Sequence, residues 1–154
     1  MSQALLFFIL LTLVINQATL IKDESCDVQA DSYADCTINA GVFGVCQSAT
    51  LDLTNSDLVK SCSSVDLFWN YPVGNLTLTI GPSQHKPYTV YIDNEKLTPY
   101  FSHVYRIFNG QETDVTTIDQ KLIQYSDSNN QIILKFQGPS TLFYYGVFIE
   151  YDIV

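Results

Sequence analysis

From Leu67 to the end of the chain, apolar and polar positions alternate in short runs separated by turn residues. In the run Asn75 to Ile80, Leu76, Leu78 and Ile80 face one way and Asn75, Thr77 and Thr79 the other, the period of a half-buried strand. Gly81-Pro82-Ser83 ends that run. The next segment places Tyr88, Val90 and Ile92 on one face and closes on the turn-forming pair Asp93-Asn94. Further strands are predicted over 100–108, ending at Asn109-Gly110, over 121–125, over 131–136 and over 142–151. No long amphipathic helix interrupts them, so the pattern predicts an all-β fold, an antiparallel β-sandwich or barrel of at least six strands.

The last two predicted strands read as a closing hairpin. Ile132, Leu134 and Phe136 form one face of the first. In the second, Phe143, Tyr145, Val147, Ile149 and Tyr151 alternate with Leu142, Tyr144, Gly146, Phe148 and Glu150, so both faces are largely apolar. That suits a central strand covered on two sides, with the N-terminal segment as the expected cover and a partner as the alternative.

The first third is different. Residues 4–15 form an uncharged apolar run, too short for a hydrocarbon core that needs about 20 helical residues. It reads as the core of a signal peptide over 1–18, leaving 19–154 as a single mature domain; an uncleaved anchor is the competing reading. Residues 22–66 are rich in Asp, Ser, Thr and Ala, with weak periodicity that suggests loops, a short helix or irregular strands. They hold all four cysteines, Cys26, Cys36, Cys46 and Cys62, and an even count behind a signal peptide predicts two disulfides stapling this N-terminal segment. Three pairings are open. The preferred one closes a short loop among Cys26, Cys36 and Cys46 and uses Cys62 to tie the region to the domain. The spacing lacks the close cysteine pairs of structural zinc sites.

Seven basic residues face sixteen acidic ones, for a formal charge of -9. That balance repels phosphate backbones, so neither nucleic acid nor, after signal cleavage, a membrane is an expected partner. His85 and His103 sit in no metalloprotease, nucleophile-elbow or phosphate-loop motif, and the expectation is a non-enzymatic protein without a cofactor. Calcium is the one cation the composition favours. Asp27, Asp31 and Asp35 recur every four residues, Asp52, Asn55 and Asp57 cluster, and Asp127, Asn129 and Asn130 fill a turn, although none follows the twelve-residue calcium loop. Asn75-Leu76-Thr77 is an N-glycosylation sequon with Asn75 on the polar face of its strand.

Two stretches resemble CUB and CUB-like domains, over roughly residues 62–151. Trp69, Pro72 and Gly74 precede the alternating strand Leu76, Leu78, Ile80 as in that family, and Phe136, Gly146 and Tyr151 match its closing pattern, with Val147 where a phenylalanine is usual. Seven positions separate Cys62 from Trp69 where the family has two, and the loop at 137–145 has no carboxylate where calcium-binding members carry a ligand. The resemblance implies a jelly-roll sandwich and a non-enzymatic extracellular role, as in CUB-like proteins tied to stress and pathogen responses. The function expected is that of a secreted module recognising an extracellular protein or glycan. Its candidate contacts are Tyr71, Tyr88, Tyr91, Tyr100, Tyr144 and Phe148, because aromatic rings dominate many recognition surfaces. The alternatives are a small secreted hydrolase using a carboxylate pair, or a self-assembling coat protein.

Overall fold

The computed structural model describes residues 26–41, 48–70, 74–81, 86–97, 100–138 and 146–154. Twelve strands are described: β1 (Cys26–Asp27), β2 (Gln29–Ala34), β3 (Thr37–Gly41), β4 (Ser48–Asp52), β5 (Ser64–Trp69), β6 (Asn75–Ile80), β7 (Thr89–Asp93), β8 (His103–Phe108), β9 (Gln111–Asp114), β10 (Lys121–Tyr125), β11 (Ile132–Gln137) and β12 (Val147–Ile153). One helical turn, α1 (Asn94–Leu97), follows β7. The strands form two six-stranded sheets, sheet I in the order β1-β4-β6-β11-β8-β9 and sheet II in the order β10-β7-β12-β5-β3-β2. The chain is thus an all-β sandwich, as its alternation predicts.

The core forms where the apolar faces of the two sheets meet. Leu76, Leu78 and Ile80 of β6 lie opposite Phe136, Leu134 and Ile132 of β11, and all six are buried. Sheet II supplies Val65, Leu67 and Trp69 from β5, Val90 and Ile92 from β7, and Val147, Ile149 and Tyr151 from β12. Burying one such side chain contributes about 1.5–3 kcal/mol, so this interdigitated set dominates the stability of the fold.

Three expectations are corrected. The last two strands do not form a hairpin: β11 pairs with β6 and β8, while β12 pairs with β5 and β7 in the other sheet. Both keep the buried face that alternation predicts, β11 in the middle of sheet I and β12 in the middle of sheet II. The sheets are mixed, because β1–β4, β4–β6 and β3–β5 are parallel, and every parallel pair involves a strand of the N-terminal third. That third is itself ordered into β1 to β4, and its described strands add to the sheets' ends instead of covering the outer face of β12, where Phe148 is 46% exposed.

Local chemistry explains the turns. Asn109 and Gly110 both have positive φ, 49° and 73°, which closes β8 onto β9 through a two-residue turn whose twist matches the strands. Cys36 turns β2 into β3 with φ 60° and is bonded to Cys62, just before β5. The amide of Asp66 donates to the Cys36 carbonyl at 3.0 Å, so the β2–β3 hairpin is pinned to the start of β5 by both a covalent and a hydrogen bond. Cys62 therefore ties the N-terminal segment to the domain. Cys46 lies outside the described residues.

Candidate functional site

Alternation along β5, β7, β10 and β12 turns one set of side chains inward and leaves the other on the outer face of sheet II. At one end of that face Phe68 and Phe148 stand directly opposite each other, ring centroids 4.7 Å apart and tilted by 44°. Gly146 makes room for this pair. A Cβ at that position would fall inside the Phe68 ring, so the ring lies flat on the glycine backbone. Aromatic pairs in such tilted contact gain about 0.5–1.5 kcal/mol beyond their area burial, which holds the rings as a unit.

One step along β12 from Phe148, the face becomes acidic. Glu150 lies directly opposite Asp66, and Asp152 lies between Ser64 of β5 and Tyr91 of β7. Glu150, Asp152, Asp93, Tyr91 and Lys121 line an open trough of about 310 Å³. The ammonium of Lys121 sits 5.7 Å from the centre of the Tyr91 ring. Phe148 and Tyr91, two of the residues singled out as contacts, are thus brought onto one face.

The other candidates separate. Tyr88 is a core residue and not a ligand contact: it is 7% exposed, and its hydroxyl donates to the carbonyl of Ile80 at 2.6 Å, which stitches sheet II to sheet I. Desolvation raises its pKa above the ordinary tyrosine range, with Asp127 adding to the rise and Arg106 opposing it. Tyr100 is 40% exposed but lies after α1, away from the trough lining. Tyr71 and Tyr144 lie outside the described residues.

The clusters read as oxygen donors for calcium mostly build turns. Asp52 accepts from the amide of Thr54 at 2.9 Å and from its hydroxyl at 2.6 Å. Asp127 accepts from the amides of Asn129 and Gln131 at 2.8 and 3.0 Å. Asp31 and Asp35 are exposed. Among the described residues, no group of three or more His, Cys, Asp or Glu side chains is placed to hold a metal ion. His85 lies outside the described residues, and His103 pairs with Asp114 at 2.9 Å on exposed surface. Asp114 has its pKa lowered, chiefly by the hydroxyl and amide of Thr116 and then by His103.

Asn75 opens β6, opposite Gln137 of β11 and Ser48 of β4, on the outer face of sheet I. The sequon thus falls on the sheet opposite the aromatic pair. A second open groove, about 270 Å³, runs between the turn at 53–60 and the turn at 129–131, with Leu53 and Val59 below Asn55, Lys60 and Gln131.

A half-buried charge, Arg106, escapes a reading by alternation. Arg106 has the same parity on β8 as buried Val104, and its guanidinium reaches the Gln131 carbonyl at 2.9 Å and the Tyr125 carbonyl at 3.5 Å. It bridges sheet I to the strand at the end of sheet II. Burial lowers its pKa, and nearby Asp127 opposes that shift. The only available signal is a charge at an inward position of an otherwise apolar strand, which marks a structural bridge as readily as a site.

Among the described residues, no helix is long and apolar enough to cross a membrane. No family model and no curated protein matches the chain.

Proposed function

We propose that this protein is a secreted, non-enzymatic recognition module that meets its extracellular ligand on the outer face of sheet II. The observation that carries the reading is Phe148: a large apolar side chain, 46% exposed, on a central strand and in tilted contact with a second ring. With Phe68 directly opposite, it makes a two-ring apolar patch beside an open trough, the kind of surface that recognition modules use. The Cys36–Cys62 disulfide is compatible with an oxidising compartment. A glycan on Asn75 would cover the outer face of sheet I and leave that of sheet II open. The CUB-like resemblance leads to the same class of function.

A hydrolytic role fits this face less well. Glycosidase carboxylates flank the scissile bond from two sides. Asp66 and Glu150 instead stand side by side on one open face, so both address a ligand from the same direction.

The compartment is tested by the intact mass of protein recovered from the medium of secreting cells, before and after reduction, alkylation and glycan removal. The expected result is a chain starting near Thr19, without free thiols, that loses mass on deglycosylation. Retention in the cell, or four thiols that alkylate without reduction, would refute it.

A further inference from the structure

Each sheet has two edge strands, and three of the four edges are blunted. β1 is two residues long, β2 carries a bulge between Ser32 and Ala34, and β9 sets the acids Glu112 and Asp114 within four residues. Short strands, bulges and charges are the ordinary devices that keep a sheet edge from pairing with another chain. β10 instead runs five residues in unbroken register with β7, its single charge at the first position, and it leaves Ile123 and Tyr125 exposed.

The ladder shows which backbone groups of β10 face outward. Gln120 accepts from the amide of Asn94, and the amide of Ser126 donates to Tyr88, so the even-numbered residues turn their amides and carbonyls toward β7. Lys121, Ile123 and Tyr125 turn theirs toward the open edge, beyond which no described strand lies. The Tyr125 carbonyl accepts from Arg106 at 3.5 Å. Among the described residues the other amides and carbonyls of these three have no partner.

The strand is its own complement. In an antiparallel pairing centred on Ile123, Ile123 meets Ile123 of a second copy and Lys121 meets Tyr125 at both ends. The outward groups then fall in register: two bonds join the isoleucines, and each Tyr125 amide reaches a Lys121 carbonyl while the Tyr125 carbonyl keeps Arg106. The two lysines stand about 14 Å apart along the strands, each opposite a ring, so no like charges are opposed. No other centring uses the full length of both strands. A foreign strand would gain the backbone bonds, but a second copy also brings ring to cation and isoleucine to isoleucine.

We propose that two copies of this protein pair through β10, antiparallel and two-fold symmetric about Ile123, joining their copies of sheet II into one continuous sheet. The axis is perpendicular to that sheet, so the two outer faces, each with its Phe68–Phe148 pair, lie on the same side and present the surface twice. The dimer goes beyond the recognition reading and does not depend on it. One pair of edge strands buries less than the roughly 1,200 Å² of standard interfaces, so the association is reversible.

The test is analytical ultracentrifugation of the full oxidised protein, of Ile123→Lys and of Ile123→Glu, from about 5 μM to about 1 mM, where weak interfaces titrate. Ile123 is exposed and its backbone groups take no part in the β7 ladder, so both variants keep the fold, which circular dichroism checks. The parent is expected to pass from monomer to dimer across this range. Each variant alone should dimerise at least fivefold more weakly, because like charges meet on the axis. An equimolar mixture of the two should recover the parent's affinity within threefold, because the axis sets the new lysine against the new glutamate. A parent that stays monomeric, or dimers unaffected by either variant, would overturn the proposal. So would variants that weaken the dimer without recovery on mixing, since the register would then not be centred on Ile123. A monomeric parent whose β10 amides shift in NMR spectra on addition of a soluble threonine-valine repeat peptide would give this edge to a foreign strand and overturn self-pairing.

Discussion

Asp66 on β5 and Glu150 on β12 occupy directly opposed positions on neighbouring strands, two carboxylates on one face. Removing one charge should relieve the sheet. Asp66→Asn is expected to raise stability by about 0.2–1 kcal/mol, the usual size of a cross-strand pair effect. Urea unfolding checks this as an increase in midpoint at unchanged slope. A drop in midpoint would show that the Asp66 carboxylate is structurally engaged.

Asn94 holds the connection between β9 and β10. Its buried side-chain amide donates to the carbonyls of Thr117 and Asp119 at 2.8 and 2.7 Å, on either side of the fully exposed Ile118. Asn94→Ala leaves both carbonyls without that donor and should cost about 1–3 kcal/mol. Hydrogen exchange should accelerate over residues 115–120 more than in the core strands. Uniform acceleration would mean that the amide supports the whole fold and not this loop.

The Cys36–Cys62 bond spans 26 residues of chain. By the loop-entropy relation, its removal in Cys36→Ser with Cys62→Ser should cost about 3.5 kcal/mol. Peptide mapping of the oxidised parent protein should show Cys26 joined to Cys46, because they are the two cysteines that remain. A mixed population of pairings would contradict this.

Tyr88 and Tyr151 set the alkaline limit. Burial raises both above the ordinary value of 10.0. Below pH 10 both folded and unfolded chains keep these phenols protonated, and the stability contribution is complete. As pH rises past the unfolded value, the unfolded chain releases protons that the folded chain retains, so stability falls progressively toward the folded values. Phenolate absorbance followed with circular dichroism should show two tyrosines, Tyr88 and Tyr151, ionising only with unfolding. Titration of every tyrosine near pH 10 in a native sheet would contradict the burial.

Much of the sandwich was legible because one face of each strand is buried and the period of two survives in the sequence. Leu76, Leu78 and Ile80, and their partners on β11, are plain in it. What alternation does not encode is which strands pair. The apparent hairpin of β11 and β12 dissolved because proximity in sequence does not decide which buried faces meet across the core. Strands β1 to β4 were hidden by short length and polar outward residues such as Asp31 and Asn39. β9, Gln111–Asp114, is exposed at every position and carries no periodic signal, although the Asn109-Gly110 turn before it pointed to a hairpin. Of the face on sheet II, Phe148 and Tyr91 were read as aromatics. The opposition of Asp66 and Glu150 is a property of register, which needs the structure. Tyr88 misled because a ring at an inward position was counted as a contact.

Two phenylalanines offer the most direct comparison. Phe148 and Phe108 are almost equally exposed, at 46% and 44%, but Phe148 lies on the outer face of sheet II and Phe108 ends β8 in sheet I. Affinities of Phe148→Ser and Phe108→Ser should be measured against one panel of extended peptides and neutral oligosaccharides. The expected result is at least a tenfold loss with Phe148→Ser, at a temperature where circular dichroism shows the variant folded, and binding within twofold of the parent with Phe108→Ser. Equal affinities for the two variants would contradict the claim that the outer face of sheet II is where this protein recognises its ligand.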